Sequence, residues 1–191
     1  MKSILIVGVG GQGTLLTSRV IGTKALNDNM DVKLSEVHGM SQRGGSVVTY
    51  VKIGDDVSSP VIDKKEADII LAFEELEAYR YMDYLKDDGV LLINTQKINP
   101  MPVIIGLKKY PKNIINKIKA KINNVITIDA LGIARECGNI KAVNMVMTGA
   151  MALINKEKKE GYLKAMEEVI KKKFIELNKK AFERGFDEIK G

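Results

Sequence analysis

The chain has 191 residues, 45% hydrophobic and 28% charged, close to globular averages and long enough for one domain with a substantial core. The single cysteine, Cys137, cannot close an intrachain disulfide or hold an iron–sulfur cluster; the single histidine, His38, leaves no Cys/His zinc set and only one candidate for a Ser-His-Asp triad, with no nucleophile-elbow motif to go with it. The net charge of +6 comes mostly from lysine, much of it after Lys108. With few arginines, few aromatics and no tryptophan, that charge reads as a solvated lysine-rich surface rather than a nucleic-acid groove.

Taken in chain order, residues 3–9 are a continuous apolar run, the mark of a parallel strand buried on both faces. They enter Gly8-Val9-Gly10-Gly11-Gln12-Gly13, where Gly8, Gly10 and Gly13 fit the G-x-G-x-x-G spacing of a phosphate-cradling turn. A helix over residues 12–28 follows, with Leu15, Leu16, Val20, Ile21, Ala25 and Leu26 at helical spacing. Residues 32–37 make a second strand. A polar, glycine-rich loop spans 38–45, and 46–53 have strand propensity. With no helix between these two strands, one pair is expected to be antiparallel.

Further strands are expected at 68–73, 90–94, 103–106 and 125–129, and helices at 74–86, 111–122, 130–137, 141–155 and 160–184. The three acids at the start of the 74–86 helix suit its dipole. The alternation predicts an α/β, Rossmann-like three-layer fold with a largely parallel sheet and C-terminal helices. Residues 1–155 are read as the α/β domain. Residues 156–191 are read as a charged helical segment packed on it or on a partner. No run of about 18 apolar residues is present, and Met1-Lys2-Ser3-Ile4 enters a strand without a signal-peptide pattern, so a cytoplasmic protein with no membrane role is expected.

The candidate site gathers at the carboxyl edge of the sheet, where open α/β folds bind ligands. Gly8, Gly10, Gly11 and Gly13 would offer backbone donors. Gln12 would bind a phosphate, a partner backbone or its own turn. Glu36, at the end of the second strand, is placed to hold ribose hydroxyls, with Asp31 nearer in count but at the strand's start. Ser41, Gln42 and Arg43, between Gly39 and the Gly44-Gly45 pair, bring polar side chains to the same edge. Arg43 suits a phosphate or carboxylate, and His38 brings the chain's one imidazole to the same loop. Met145, Met147 and Met151 read as core rather than as a binding groove.

Two motifs together, Gly8–Gly13 and Glu36-Val37-His38-Gly39-Met40-Ser41-Gln42-Arg43-Gly44-Gly45-Ser46-Val47, give the chain a resemblance to the gamma-type domain of 2-oxoacid:ferredoxin oxidoreductases, in particular to small (beta) subunits of the indolepyruvate type. Ser59-Pro60-Val61-Ile62, Ala67–Glu74 and Asn94-Thr95 continue the likeness, which spans most of residues 1–155. The resemblance implies coenzyme A-dependent oxidative decarboxylation of an arylpyruvate, with ferredoxin taking the electrons. It also implies a larger alpha subunit carrying thiamine diphosphate, its magnesium and iron–sulfur clusters, and a dimer of heterodimers is possible. This chain has neither the cysteines for clusters nor a Gly-Asp-Gly run leading to the Asn of a thiamine diphosphate site. No cofactor is therefore assigned to it alone, with coenzyme A expected at the interface. His38 and Arg43 are the catalytic candidates, neither with an assigned role. Two other readings stay open: a stand-alone NAD(P)-type oxidoreductase using Glu36, and a structural interaction subunit.

Overall fold

The computed structural model describes residues 1–39 and 44–189. The chain runs β1 (Lys2–Val9), α1 (Thr14–Asn27), β2 (Asp31–His38), β3 (Ser46–Gly54), β4 (Ala67–Ala72), α2 (Glu75–Tyr81), β5 (Leu85–Asn94), α3 (Met101–Ile104), α4 (Ile114–Lys119), β6 (Val125–Ile128), α5 (Ala130–Glu136), α6 (Val143–Ile154), α7 (Lys159–Val169) and α8 (Ile175–Glu188). The strands form one six-stranded sheet in the order β2-β3-β1-β4-β5-β6. β1–β4, β4–β5 and β5–β6 are parallel; β3 is antiparallel to both β1 and β2, so it alone runs against the others.

β1 shows why its centre, residues 4–7, had to be apolar at every position. Ile4 and Ile6 enter a core formed with α1, α5, α6, α7 and α8, while Leu5 and Val7 enter the opposite core with α2 and α4. Alternate side chains of a strand point to opposite faces, so a strand between two helical layers needs hydrophobes at every position. Each fully buried Leu, Ile or Val contributes about 1.5–3 kcal/mol. The three methionines of α6, Met145, Met147 and Met151, are fully buried core residues.

Four expectations are corrected. Residues 103–106 are not a strand: Pro100 accepts hydrogen bonds from the amides of Val103 and Ile104, and a short helix forms there. The 74–86 helix stops at Tyr81, continues as a 3-10 turn over Met82–Tyr84, and Leu85 pairs with Ala67 at the start of β5. The lysine-rich helix at 111–122 is confined to Ile114–Lys119. The helix at 160–184 is two helices, broken where buried Ile170 takes an extended conformation.

The core continues into α7 and α8, whose Tyr162, Ala165, Met166, Ala181 and Phe182 are buried among α1 and α6. Two glycines allow α6 and α8 to cross with their backbones nearly touching. A Cβ on Gly149 would lie 2.0 Å from the Phe182 carbonyl oxygen, and one on Gly185 2.0 Å from that of Val146.

Glu157, just before α7, ties the C-terminal helices to the N-terminal half. Lys2 Nζ donates to it at 2.8 Å, Lys24 Nζ at 2.6 Å and the Tyr162 hydroxyl at 2.9 Å. Burial alone would raise the Glu157 pKa, but the hydrogen bonds from Lys2 and Lys24 outweigh it and the carboxyl sits below its ordinary value of 4.5. A depressed carboxylate stabilises the fold above its unfolded pKa, and that stabilisation disappears as pH falls through the folded value. Glu157→Gln is expected to cost about 2 kcal/mol at neutral pH, since it leaves partly buried Lys2 without its carboxylate and Lys24 with Asp28 alone. The cost should shrink on acidification below about pH 4.5, as urea unfolding of both proteins at the two pH values would show.

Candidate functional site

The carboxyl ends of β1, β2, β4, β5 and β6 and the start of β3 lie along one edge of the sheet, as the strand directions require. Gly8 and Gly13 shape the turn after β1. A Cβ on Gly8 would lie 2.9 Å from Gln12 Oε1. Gly13 stands at the N-cap of α1 with φ 85°, in the left-handed region, and a Cβ there would come within 2.7 Å of Asn144 Nδ2 on α6.

The two glycine-rich loops meet. The Gly10 amide donates to Gly45 O at 2.9 Å, and the Gly44 amide approaches Gly10 O at 3.5 Å. The Gly10 N–H, expected to face a ligand, is therefore directed at the second loop. The amides of Gly11 and Gly13 have no acceptor among the described residues. They lead into the open, positive end of α1, which has no side-chain cap. Ser41, Gln42 and Arg43 lie outside the described residues.

Gln12 bonds within the chain through both ends of its amide. Its Oε1 accepts from the Val9 amide at 2.8 Å, and its Nε2 donates to Phe73 O at 2.9 Å and Gln96 Oε1 at 3.1 Å. Buried Asn94 extends this network by donating to Phe73 O at 3.0 Å and accepting from the Ala130 amide at 3.1 Å. The ends of β1, β4 and β5 and the start of α5 are thus stitched by two side-chain amides. In the sequence Asn94 stands out as the end of the 90–94 strand and as part of the Asn94-Thr95 likeness, with no role attached.

Glu36 is brought to the first loop. Its Oε2 accepts from Thr14, the first residue of α1, at 3.3 Å and from Thr49 on β3 at 3.0 Å. A cavity of about 330 Å³ opens beside it, bordered by Gly10, Gly11, Leu15, His38 and Val47. His38 is exposed, with Nδ1 3.1 Å from Gly39 O, and no serine or cysteine side chain bonds it among the described residues. Asp31 sits at the far end of β2, bonded to Lys33 and the Val57 amide, away from this edge.

On the other face, a cavity of about 230 Å³ lies against Gly44, Gly45, Ser46, Glu77, Arg80 and Met101. Glu77 is 3% exposed, accepts from Ser46 Oγ at 2.5 Å and from Arg80 at 2.8 Å. Burial raises its pKa against the pull of Ser46 and Arg80. Sequence reasoning missed this group, because an acid in a first helical turn looks like a dipole partner whether it faces water or the core. A carboxyl with a raised pKa stabilises the fold fully below its unfolded value and loses that contribution as pH rises through the folded one. Glu77→Gln should therefore gain stability relative to the parent as pH rises above about 4.5, the reverse of Glu157→Gln. Paired urea titrations would register that opposite slope.

Glu74 holds the chain over this second cavity. It caps α2 by accepting from the amides of Leu76 at 2.7 Å and Glu77 at 3.0 Å, and its other oxygen accepts from the Ile98 amide at 3.0 Å and from the Tyr110 hydroxyl. Among the described residues, no three His, Cys, Asp or Glu side chains converge as a metal site. The buried thiol of Cys137 lies in the helical core. One cysteine cannot hold an iron–sulfur cluster, and among the described residues no carboxylate group is gathered for a metal-bound diphosphate.

The family model for pyruvate ferredoxin/flavodoxin oxidoreductase matches residues 3–188. The chain belongs to this family. It is 38% identical to the indolepyruvate oxidoreductase subunit IorB of Archaeoglobus fulgidus, across 97% of this chain and 94% of the relative. It is 28% identical to the pyruvate synthase subunit PorC of Methanocaldococcus jannaschii, across 99% and 97% of the two chains. The crystal structure of a keto/oxoacid ferredoxin oxidoreductase gamma subunit from Geobacter sulfurreducens superposes with a TM-score of 0.74 and 26% identity, covering 99% of this chain and 98% of the other. The resemblance read from the two glycine loops therefore holds over the whole length, C-terminal helices included. No helix among the described residues is long and apolar enough to cross a membrane.

Proposed function

We propose that this chain is the small, cluster-free subunit of a cytoplasmic indolepyruvate-type (arylpyruvate):ferredoxin oxidoreductase, inactive by itself. The observation that carries the reading is the graded identity: 38% to an indolepyruvate oxidoreductase subunit against 28% to a pyruvate synthase subunit, over nearly the same span. The larger alpha subunit holds thiamine diphosphate, magnesium and the iron–sulfur clusters, and passes electrons to ferredoxin. Thiamine diphosphate supplies the carbanion chemistry and the clusters the electron exit.

This chain's own contribution is to bind and orient. The amides of Gly11 and Gly13, with the positive end of α1, receive an anionic group, for which coenzyme A phosphates at the subunit interface are suited. Gln12, tied on three sides, keeps that turn rigid. By their chemistry alone, Ser41, Gln42 and Arg43 are assigned to that ligand, to the arylpyruvate carboxylate or to locking the subunit interface, and His38 and Glu36 line the neighbouring cavity. Two such heterodimers pair in the full assembly.

The test is a substrate panel on the reconstituted complex, following viologen reduction with indolepyruvate, phenylpyruvate, pyruvate and 2-oxoglutarate, each with and without coenzyme A. Arylpyruvates should give the highest kcat/KM, and only with coenzyme A. A complex preferring pyruvate or 2-oxoglutarate would refute the arylpyruvate assignment.

A further inference from the structure

Between Gly89 and Ile128 the chain has seven lysines and no Asp or Glu. The middle of this stretch overhangs the edge of the sheet beside the Glu77 cavity, with Pro100, Met101 and Pro102 on the cavity wall. Within it Met101, Ile104, Ile105 and Leu107 are 63%, 64%, 58% and 76% exposed. Four large apolar side chains that open within seven residues are not the scattered exposure normal for a surface.

The overhang is a built element. The Val103, Ile104, Ile105 and Lys108 amides close its turns on Pro100, Met101 and Pro102, and Glu74 clamps both of its ends through Ile98 and Tyr110. A buried carboxylate thus holds in place a tip whose apolar side chains face outward. Lys108, Lys109 and Lys112 follow directly and are exposed; none has an acidic partner within ion-pair distance among the described residues.

We propose that the overhang of residues 99–112 is the docking surface for the larger subunit, its apolar tip entering a recess on that subunit rimmed by acidic side chains. The inference rests on the two-subunit reading above and names the surface that joins the two. Charge complementarity selects the partner's chemistry: lysines without acids call for carboxylates, and apolar residues at their centre call for a protein recess. A polynucleotide would want stacking rings and arginines in place of Ile104, Ile105 and Leu107. Docked this way, the partner also closes the cavity against Ser46, Glu77 and the Gly44-Gly45 turn.

The test uses the purified larger subunit and full-length variants of this chain, with Kd measured by titration calorimetry. Ile104→Ser/Leu107→Ser should weaken binding about tenfold or more. Lys108→Glu/Lys109→Glu should weaken it roughly fivefold and flatten its salt dependence. Lys172→Glu/Lys173→Glu, on the turn between α7 and α8, should match the parent. All the altered side chains are exposed, so thermal unfolding should stay unchanged. Methionine oxidation of the unaltered protein gives an independent reading: Met101 should be protected in the complex. Parent-like binding by both overhang variants, with Met101 oxidised as readily in the complex as alone, would overturn the docking surface and leave the two-subunit reading intact. Failure of the parent chain itself to bind the larger subunit would sink that reading and this inference with it. Overhang variants that keep the larger subunit but lose affinity for a single-stranded oligonucleotide would assign the surface to nucleic acid instead.

Discussion

Gly185→Val is expected to unfold the protein or leave it only marginally stable. The Cβ of any larger residue there would stand 2.0 Å from the Val146 carbonyl oxygen, and that neighbour is backbone in the middle of α6, which cannot swing aside. The same holds for Gly149 against the Phe182 carbonyl. Pushing α6 and α8 apart would also open the packing of Tyr162, Phe182 and Phe186, whose rings stack at 5.5 and 6.2 Å. Overpacking normally costs about 1–3 kcal/mol. A clash with helix backbone on both sides of one crossing should exceed that, reaching about 4 kcal/mol even for Gly185→Ala. Gly161→Ala is the control: it sits in α7 with only the Lys24 side chain nearby, at 3.5 Å, and should be neutral or gain up to about 1 kcal/mol from helix propensity. Urea midpoints for the three variants would separate a crossing effect from a general intolerance of alanine.

The second large effect is expected at Asn94. Truncation to alanine leaves the Ala130 amide without its acceptor and removes one of the two donors to Phe73 O, in a site with no solvent exposure. Buried groups left unpaired cost about 1–3 kcal/mol each, so about 3 kcal/mol is expected for the variant. Gln12 shares Phe73 O and Gln96 with Asn94, so the Gly8–Gly13 turn should loosen as well. The signature is faster hydrogen exchange at Gly11–Thr14 together with a lower urea midpoint. A stability loss with unchanged exchange at the turn would show that the two amides act separately.

Much of the architecture was legible because β1, β4 and β5 each contain an unbroken apolar run, at residues 4–7, 69–72 and 90–93, and helical stripes lie between such runs; a sheet covered on both faces uses such runs. What misled was local chemistry that tertiary contacts override. Val103-Ile104-Ile105 has strand propensity, but no neighbouring strand offers it a ladder, and Pro100 starts a helical turn instead. The stripe Tyr162, Ala165, Met166 faces α1, whereas Ala181, Phe182 and Gly185 lie against α6; burying both required a bend at Ile170 that no glycine or proline announces.

At the site, the meeting of the two glycine loops followed from strand direction. The use made of individual groups did not. Gln12 and the Gly10 amide were candidates for a ligand and are bonded inside the protein, while Glu77 and Asn94 matter through burial, which one sequence does not display. Glu36 does reach the first loop, with one oxygen already shared by Thr14 and Thr49.

The account stands on the claim that this carboxyl-edge site works at an interface with a larger, cofactor-bearing subunit. The most direct test compares the purified small chain, the purified larger subunit and their mixture in coenzyme A-dependent oxidation of indolepyruvate with a viologen acceptor. Activity confined to the mixture, with thiamine diphosphate and iron found on the larger subunit only, is the predicted result. Turnover by either chain alone at the rate of the mixture, or tight NAD(P) binding to the small chain, would contradict it.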